Sequence, residues 1–367
     1  MRAIVVHGSA IAPAHQTSRH KWFKDLFDES TLDKLFVHEH MGNNVIIDRV
    51  TGRTIFESMP IYVRVGMHLL FYGKEQRKFL KWGSVEELLT KQTINQGQVY
   101  NSTDPAIVVP HIESFIKTYS INLDELAEAD PKKYSTINDF FARKLKEGAR
   151  ALKEEDKAPG VITSAADCRL TVWETVDEAK KFWVKGKAFS IKALLNNDEA
   201  LASKFGANPS LAIFRLAPQD YHRFHSPVDG TRGPVTHVPG EFYTVNATII
   251  NEEFDVFTAN RRDISVIESN TLVAGKTLPV GFVAIGAMLV GAIEWDSAPE
   301  ATATVKKGED MGCFKYGGST CIAIFPEEAH IKWDEDLIKA GQKGVETVIK
   351  VGEHIGIVGA TPPPANP

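Results

Sequence analysis

The chain has 367 residues, a formal net charge of −5, 43% hydrophobic and 24% charged residues, and three cysteines. That length suits two domains, or one domain with a sizeable extension, and the composition is that of a globular protein in water. The acidic balance argues against a nucleic-acid partner held through its phosphates, but leaves room for a local basic patch on an anionic membrane.

Cys168, Cys313 and Cys321 are odd in number and form no Cys-x-x-Cys pair. A disulfide framework or a structural zinc site is therefore not expected, and a reducing compartment fits. Met1 to His7 lacks the apolar core of a secretory signal, and no window reaches the roughly 18 uninterrupted apolar residues of a spanning helix. With no signal peptide and no transmembrane helix in view, the expected location is the cytoplasm or the periphery of a membrane.

From Leu26 to about Arg150 the pattern suits helices, and residues 1–157 are read as a helical N-terminal region. Its most apolar run is Pro60 to Tyr72, with proline suited to a first helical position. Arg64 and His68, four apart, share a face. The run is too short to span a bilayer, so it is either a core helix or a helix lying in the membrane interface. Lys74, Arg77 and Lys78 follow it and favour an anionic lipid surface.

Ser84-Val85-Glu86-Glu87 is a capping-box signature. Pro105 to Tyr119 predicts a helix, Asn122 to Ala129 a short acidic one, and Ser135 to Leu145 another with Phe140, Phe141 and Leu145 inward. The charges from Arg143 to Lys157 read as a solvated face and linker.

After about Ala158 the texture changes to short apolar runs between turn residues: Val161-Ile162, Leu170 to Val172, Leu211 to Phe214 and Phe282 to Ile285. Residues 158–360 are therefore expected to form a β-rich domain, with a short helix at Ile191 to Leu195 and a disordered Pro-rich tail at 361–367. The fold class is α+β, a helical N-terminal region packed on a mainly antiparallel β catalytic domain.

Three polar knots interrupt this β texture. The first is Ser164-Ala165-Ala166-Asp167-Cys168-Arg169, where Asp167 either forms an Asx-turn or orients a histidine. The second runs from Leu216 to Pro227 and holds His222 and His225; its flanking prolines, Pro218 and Pro227, predict a loop or single turn. No third metal-ligand motif accompanies the histidines, so acid–base work is the alternative. The third is Gly317-Gly318-Ser319-Thr320, between the runs Met311 to Tyr316 and Cys321 to Phe325. Locally this reads as two short strands joined by a glycine turn. A serine after a glycine pair can also attack the preceding carbonyl, given a base and oxyanion donors. Asp167, His225 and Ser319 supply the residue types of a triad, although Ser319 lacks the Gly-x-Ser-x-Gly setting of an α/β-hydrolase.

Together the knots resemble the phosphatidylserine decarboxylase family. The likeness rests on Phe140 to Leu145, Ser164 to Asp167, Lys185 to Ser190, Asp220 to Pro227, Val238 to Phe242 with Val245-Asn246, Asn260 to Arg262, Val283 to Gly291 and Lys307 to Thr320, eight blocks in family order. Met59 to Arg64 also looks like the family's N-terminal helix. Two positions depart from the common pattern: Cys168 stands where many members have glycine, and Gly317 where leucine is commoner.

The resemblance implies a self-processing enzyme. His225, oriented by Asp167, deprotonates Ser319, which attacks the Gly318 carbonyl. The ester eliminates, leaving chain Met1–Gly318 and a short chain whose residue 319 is dehydroalanine, which hydrolyses to a pyruvoyl group. The substrate amine forms a Schiff base with that cofactor, CO₂ leaves, and His222 protonates the carbanion. No metal and no PLP are implied. The substrate is phosphatidylserine at an anionic membrane surface, the product phosphatidylethanolamine, and the two chains stay associated; a homodimer is one expected assembly. Relatives that decarboxylate free aromatic amino acids keep a soluble substrate as the alternative. An unprocessed lipid-binding protein and a serine hydrolase are the remaining readings.

Overall fold

The computed structural model describes residues 5–7, 43–58, 99–182, 189–240, 255–286, 292–315 and 319–359. The expected interface helix at 60–72, the capping box at 84–87, Gly318 and the tail at 361–367 lie outside these residues. Strands β1 (Val5–His7), β2 (Asn43–Asp48) and β3 (Thr54–Ser58) precede helices α1 (Pro105–Tyr119) and α2 (Ile137–Phe141). Then come β4 (Val161–Thr163), β5 (Cys168–Trp173), α3 (Val176–Phe182), α4 (Ile191–Leu194), α5 (Glu199–Ser203), β6 (Ser210–Leu216), β7 (Arg223–His225), β8 (Gly230–Arg232) and β9 (Thr236–Val238). After α6 (Val256–Ala259) follow β10 (Arg262–Ser269), β11 (Leu278–Gly286), β12 (Ile293–Trp295), β13 (Ala303–Val305), β14 (Asp310–Phe314) and β15 (Ser319–Phe325). The last elements are β16 (Ile331–Trp333), α7 (Glu335–Gln342), β17 (Glu346–Ile349) and β18 (His354–Val358).

Among the described residues the strands form one 12-stranded sheet and two three-stranded ones. The large sheet runs β1-β3-β2-β17-β5-β6-β15-β11-β10-β8-β13, with β9 added beside β10. The small sheets are β12-β14-β7 and β16-β18-β4. Pairing is antiparallel except for β1 with β3 and β2 with β17. The α+β expectation is met: few helices and a large, mainly antiparallel sheet.

The centre of the large sheet is covered on both faces, which is why Cys321-Ile322-Ala323-Ile324-Phe325 reads as an unbroken apolar run. Cys321, Ala323 and Phe325 enter one core with Phe224 and Phe314 from a small sheet and Trp333 and Ile355 from the other. Ile322 and Ile324 enter a second core with Ala179 of α3, Leu194 of α4 and Phe257 of α6. A third core joins Val108, Ile112 and Phe115 of α1 to Phe140 and Phe141 of α2.

Helix α1 has the predicted bounds. Pro105 opens it, and the Asp104 side chain accepts from the Ala106 N–H at 2.9 Å. Other expectations are corrected. The stretch read as helical from Leu26 contains the β2–β3 hairpin, built on β-branched Val45, Ile46 and Ile47 opposite Phe56, Ile55 and Thr54 around a turn with Gly52 at φ +64°.

Helix α2 stops at Phe141 because the next residues find strand-like partners instead. Lys144 O accepts from Ala127 N, Lys146 N donates to Glu125 O, and Leu145 bridges Leu126. The acidic stretch from Asn122 makes only a 3-10 turn over Leu123–Glu125. The charged run is not a solvated linker throughout: Arg143 and Asp156 are buried, and Lys307 Nζ donates to Asp156 O and Ala158 O, both at 2.8 Å. Finally, β14 and β15 do not pair with each other. Strand β14 lies between β12 and β7, whereas β15 lies between β6 and β11.

Candidate active site

Ser319 is the first residue of β15, opposite Leu216 of β6 on one side and Gly286 of β11 on the other. Leu216 is also where β6 ends, and the chain then runs through residues 217–222 into β7. In the same way β14 ends at Phe314, and the chain re-enters the large sheet at Ser319. The last residue of β14 meets the residue just before β7, since the Phe314 N–H donates to His222 O at 2.9 Å. Topology thus sets Ser319 opposite Leu216, the residue from which the chain departs toward His222. Ser319 is 1% exposed, and its hydroxyl has no hydrogen-bond partner among the described residues.

His222 is fully buried. Its Nδ1 lies 2.9 Å from Asp220 O, a carbonyl that can only accept, so Nδ1 carries the proton. Nε2 is buried without a hydrogen-bond partner among the described residues. The Phe141 ring lies 3.8 Å from the imidazole, centroid to centroid. Burial, together with the Arg143 and Arg169 charges, outweighs the bond to Asp220 O and lowers the pKa to about 3. Arg169 is in turn paired with the Asp220 carboxylate, which also accepts from Ala217 N at 2.7 Å.

His225 is not in a loop, as its flanking prolines suggested. It belongs to β7 and faces Asp310 of β14. Its N–H donates to Ala165 O at 2.8 Å, which ties β7 to the Ser164–Asp167 knot. Its Nδ1 donates to Gly308 O at 2.8 Å, and the Tyr221 hydroxyl donates to Nε2 at 3.2 Å. Gly308 sits at φ +77°, a conformation glycine supplies without strain, and this turn aims the carbonyl at the ring. Burial lowers the His225 pKa, with Asp310, Gly308 O and Asp167 acting in the opposite direction.

The sequence assigned Asp167 to orient His225, but the carboxylate makes other bonds. Arg150 grips it with Nε at 3.0 Å and Nη2 at 2.6 Å, and Val351 N donates at 2.9 Å. A guanidinium fork matches a carboxylate geometrically, so it takes the oxygens in preference to a single imidazole N–H. Asp167 acts on His225 through its charge. Sequence reasoning missed Arg150, hidden in the charged run, and also Phe141, Arg143 and Tyr221 as neighbours of the histidines. Cys168 opens β5, and burial pushes its thiol pKa well up. Among the described residues no group of three or more His, Cys, Asp or Glu is arranged to hold a metal ion.

The sequence model of the family described as phosphatidylserine decarboxylase matches residues 137–357, a span that holds Asp167, both histidines and Ser319. The chain belongs to the phosphatidylserine decarboxylase family. This is a family of carboxy-lyases. Similar members include phosphatidylserine decarboxylase proenzyme 2 of Saccharomyces cerevisiae, 40% identical over 92% of this chain and 28% of that protein. Proenzyme 2 of Oryza sativa subsp. japonica is 38% identical over 92% of this chain and 52% of its own length. The shorter phosphatidylserine decarboxylase proenzyme of Fusobacterium nucleatum is 36% identical over 67% of this chain and 77% of its own. The chain thus spans between about a quarter and a half of the yeast and rice family members. Among the described residues no helix is long and apolar enough to cross a membrane.

Proposed function

We propose that this chain is a self-processing decarboxylase that converts phosphatidylserine to phosphatidylethanolamine at a membrane surface. The observation that carries this reading is Ser319: a buried hydroxyl without a hydrogen-bond partner among the described residues, directly after Gly318 in sequence, at the start of β15 and opposite Leu216, from which the chain runs on to His222. A hydroxyl left unpaired in a protein interior is costly, and a reaction that consumes it accounts for the arrangement.

In this proposal Ser319 Oγ attacks the Gly318 carbonyl carbon. The C–N bond breaks as an ester forms, and elimination then separates Met1–Gly318, ending in a carboxylate, from a chain starting at residue 319 as dehydroalanine, which water hydrolyses to the pyruvoyl group with release of ammonia. His225 is the base for this step, with Nε2 as its acceptor atom and Asp167 favouring the charged ring electrostatically. The pyruvoyl group derived from Ser319 supplies a carbonyl electron sink for decarboxylation. The buried strand end provides a site from which water is excluded. His222 handles the proton in the decarboxylation step. The names of the family members support phosphatidylserine as the substrate, and the apolar run at 60–72 with the basic residues after it supports an anionic membrane surface.

Purified protein should show two polypeptides on a denaturing gel, the smaller one resistant to Edman degradation. Ser319→Ala should stay a single chain and release no CO₂ from carboxyl-labelled phosphatidylserine in liposomes. A fully active enzyme that is one intact chain would overturn the proposal. Turnover of free tryptophan with none of the lipid would move it to the soluble-substrate alternative. His225→Ala should accumulate the uncut chain. His222→Ala should be cut but turn over roughly 10²–10⁴-fold more slowly, the usual contribution of an acid–base group.

A further inference from the structure

The residues around His222 constrain it more tightly than its role in proton transfer requires by itself. Asp220 O accepts two hydrogen bonds at once, from His222 Nδ1 at 2.9 Å and from Arg143 Nη2 at 3.0 Å. The same Arg143 nitrogen donates its other hydrogen to Gln219 O at 3.1 Å. Arg143 is itself only 4% exposed, with its guanidinium carbon 5.2 Å above the Phe140 ring. One buried arginine, from the segment just after α2, therefore fixes the carbonyls of Gln219 and Asp220, three and two residues before His222. Phe141 of α2 closes the ring's face.

We infer that Arg143, assisted by Phe141, is a positioning residue that holds His222 with its proton on Nδ1 and Nε2 bare, so that this imidazole enters the reaction as a proton acceptor. This rests on the decarboxylase reading and deepens it. The proton that Nε2 takes is one from the substrate ammonium: the N–H bond breaks, its electron pair stays on the substrate nitrogen, and the imidazole becomes an imidazolium. That imidazolium gives the same proton to the carbon vacated by CO₂ and returns to its starting form. The product amine regains its proton from water on release.

The charged groups facing His222 agree with this assignment. Arg143 comes from the segment after α2, and Arg169 from β5; both disfavour a charged ring at rest. On its own loop, the Asp220 carboxylate bonds Arg169 and Ala217 N through Oδ2, while the Asp220 carbonyl takes the imidazole. Removing Arg143 takes away one of the two positive charges and the second donor on Asp220 O. Protonation of His222 then becomes easier, and the two neutral tautomers draw closer in energy.

The test uses histidine-selective ¹⁵N labelling of the Ser319→Ala chain, in which no processing occurs. The His222 signals are identified by their loss in Ser319→Ala/His222→Gln. The expected spectrum is a neutral ring with Nδ1 protonated, unchanged from pH 7 to pH 5. Adding Arg143→Met should introduce a mixture of tautomers and a titration within that range. In otherwise wild-type enzyme, Arg143→Met should lower kcat roughly tenfold at nearly constant KM, as expected when a group is misplaced rather than lost. The acid limb of its pH profile should move up. Arg143→Lys keeps the charge, but its shorter side chain does not carry a donor out to the Nη2 position, so it should restore the acid limb without restoring kcat.

Nε2 protonated, or a charged ring at pH 7, in the Arg143-containing chain would overturn the inference even if every Arg143 variant misfolds. So would a pH profile that Arg143→Met leaves in place. Failure of cleavage or of CO₂ release in wild-type protein would instead overturn the decarboxylase proposal, leaving the tautomer result to be judged alone.

Discussion

Two imidazoles, at 222 and 225, are buried in forms that resist protonation, and this has a cost in acid. The direction follows from linkage. Below the ordinary histidine pKa of about 6.5 an unfolded chain takes up protons that the folded chain refuses, so stability falls as pH drops. For His222 the window runs from about 6.5 down to its folded value of about 3, and above 6.5 it contributes no pH dependence. Carried through the whole window, the penalty is on the order of 4–5 kcal/mol; His225 adds to it in the same direction. Denaturant melts of the Ser319→Ala chain should therefore weaken steeply between pH 6.5 and pH 4, and Ser319→Ala/His222→Gln should show a shallower slope. Identical slopes would mean that His222 is already charged in the folded chain. The Arg150–Asp167 pair acts differently, because both partners are largely buried. Asp167→Asn leaves the guanidinium with Glu125 as its remaining carboxylate partner, and should cost roughly 3 kcal/mol. Adding Arg150→Met should cost much less than a second, independent loss, which a double-mutant cycle measures.

The short strands β7 and β14 carry much of the site, and there the sequence is least direct. Strands β5, β6, β11 and β15 were legible because burial on both faces leaves an apolar run that needs no partner to be recognised. Helix α1 was legible from Pro105, its spacing and its length. The link between β14 and β15 was not. Two apolar runs flanking glycines look like a hairpin locally, and only the pairing of β14 with β7 and β12 shows that the chain changes sheets. The candidate chemistry at Ser319, His222 and His225 could be read from residue types and order. The bonds that hold the histidines could not, since Arg143, Arg150 and Gly308 lie far along the chain and are defined by contacts at long range. Gly312 shows how closely β14 is fitted: a Cβ there would collide with the Glu294 carbonyl oxygen and the Phe224 ring. Gly312→Ala should thus cost about 1–3 kcal/mol as an overpacked site. It should also slow self-cleavage by shifting β14 against β7. A melt unchanged from wild type would show that β14 yields more easily than its packing suggests.

At the scale of the molecule, residues after 318 are woven through the fold rather than appended to it. Strand β15 lies between β6 and β11, β17 between β2 and β5, and β18 between β16 and β4. The β2–β3 hairpin reaches the rest of the large sheet through β17, and Arg49 beyond β2 pairs with Asp334 and Asp336. A cut ahead of Ser319 would therefore leave two chains hydrogen-bonded to each other along several strands. They should co-elute on gel filtration under native conditions and separate only in denaturant; elution as separate species in buffer would contradict the strand order. The same weave changes what refolding means. Before the cut, β15 finds its place between β6 and β11 as part of one molecule, at a rate independent of protein concentration. After it, the same strand must be captured from solution by another chain. Recovery of denatured, processed protein should then become second order and fall as the sample is diluted, whereas Ser319→Ala should refold equally well at every dilution. The fold would be reached once, by a sequence that afterwards no longer exists as a single covalent chain.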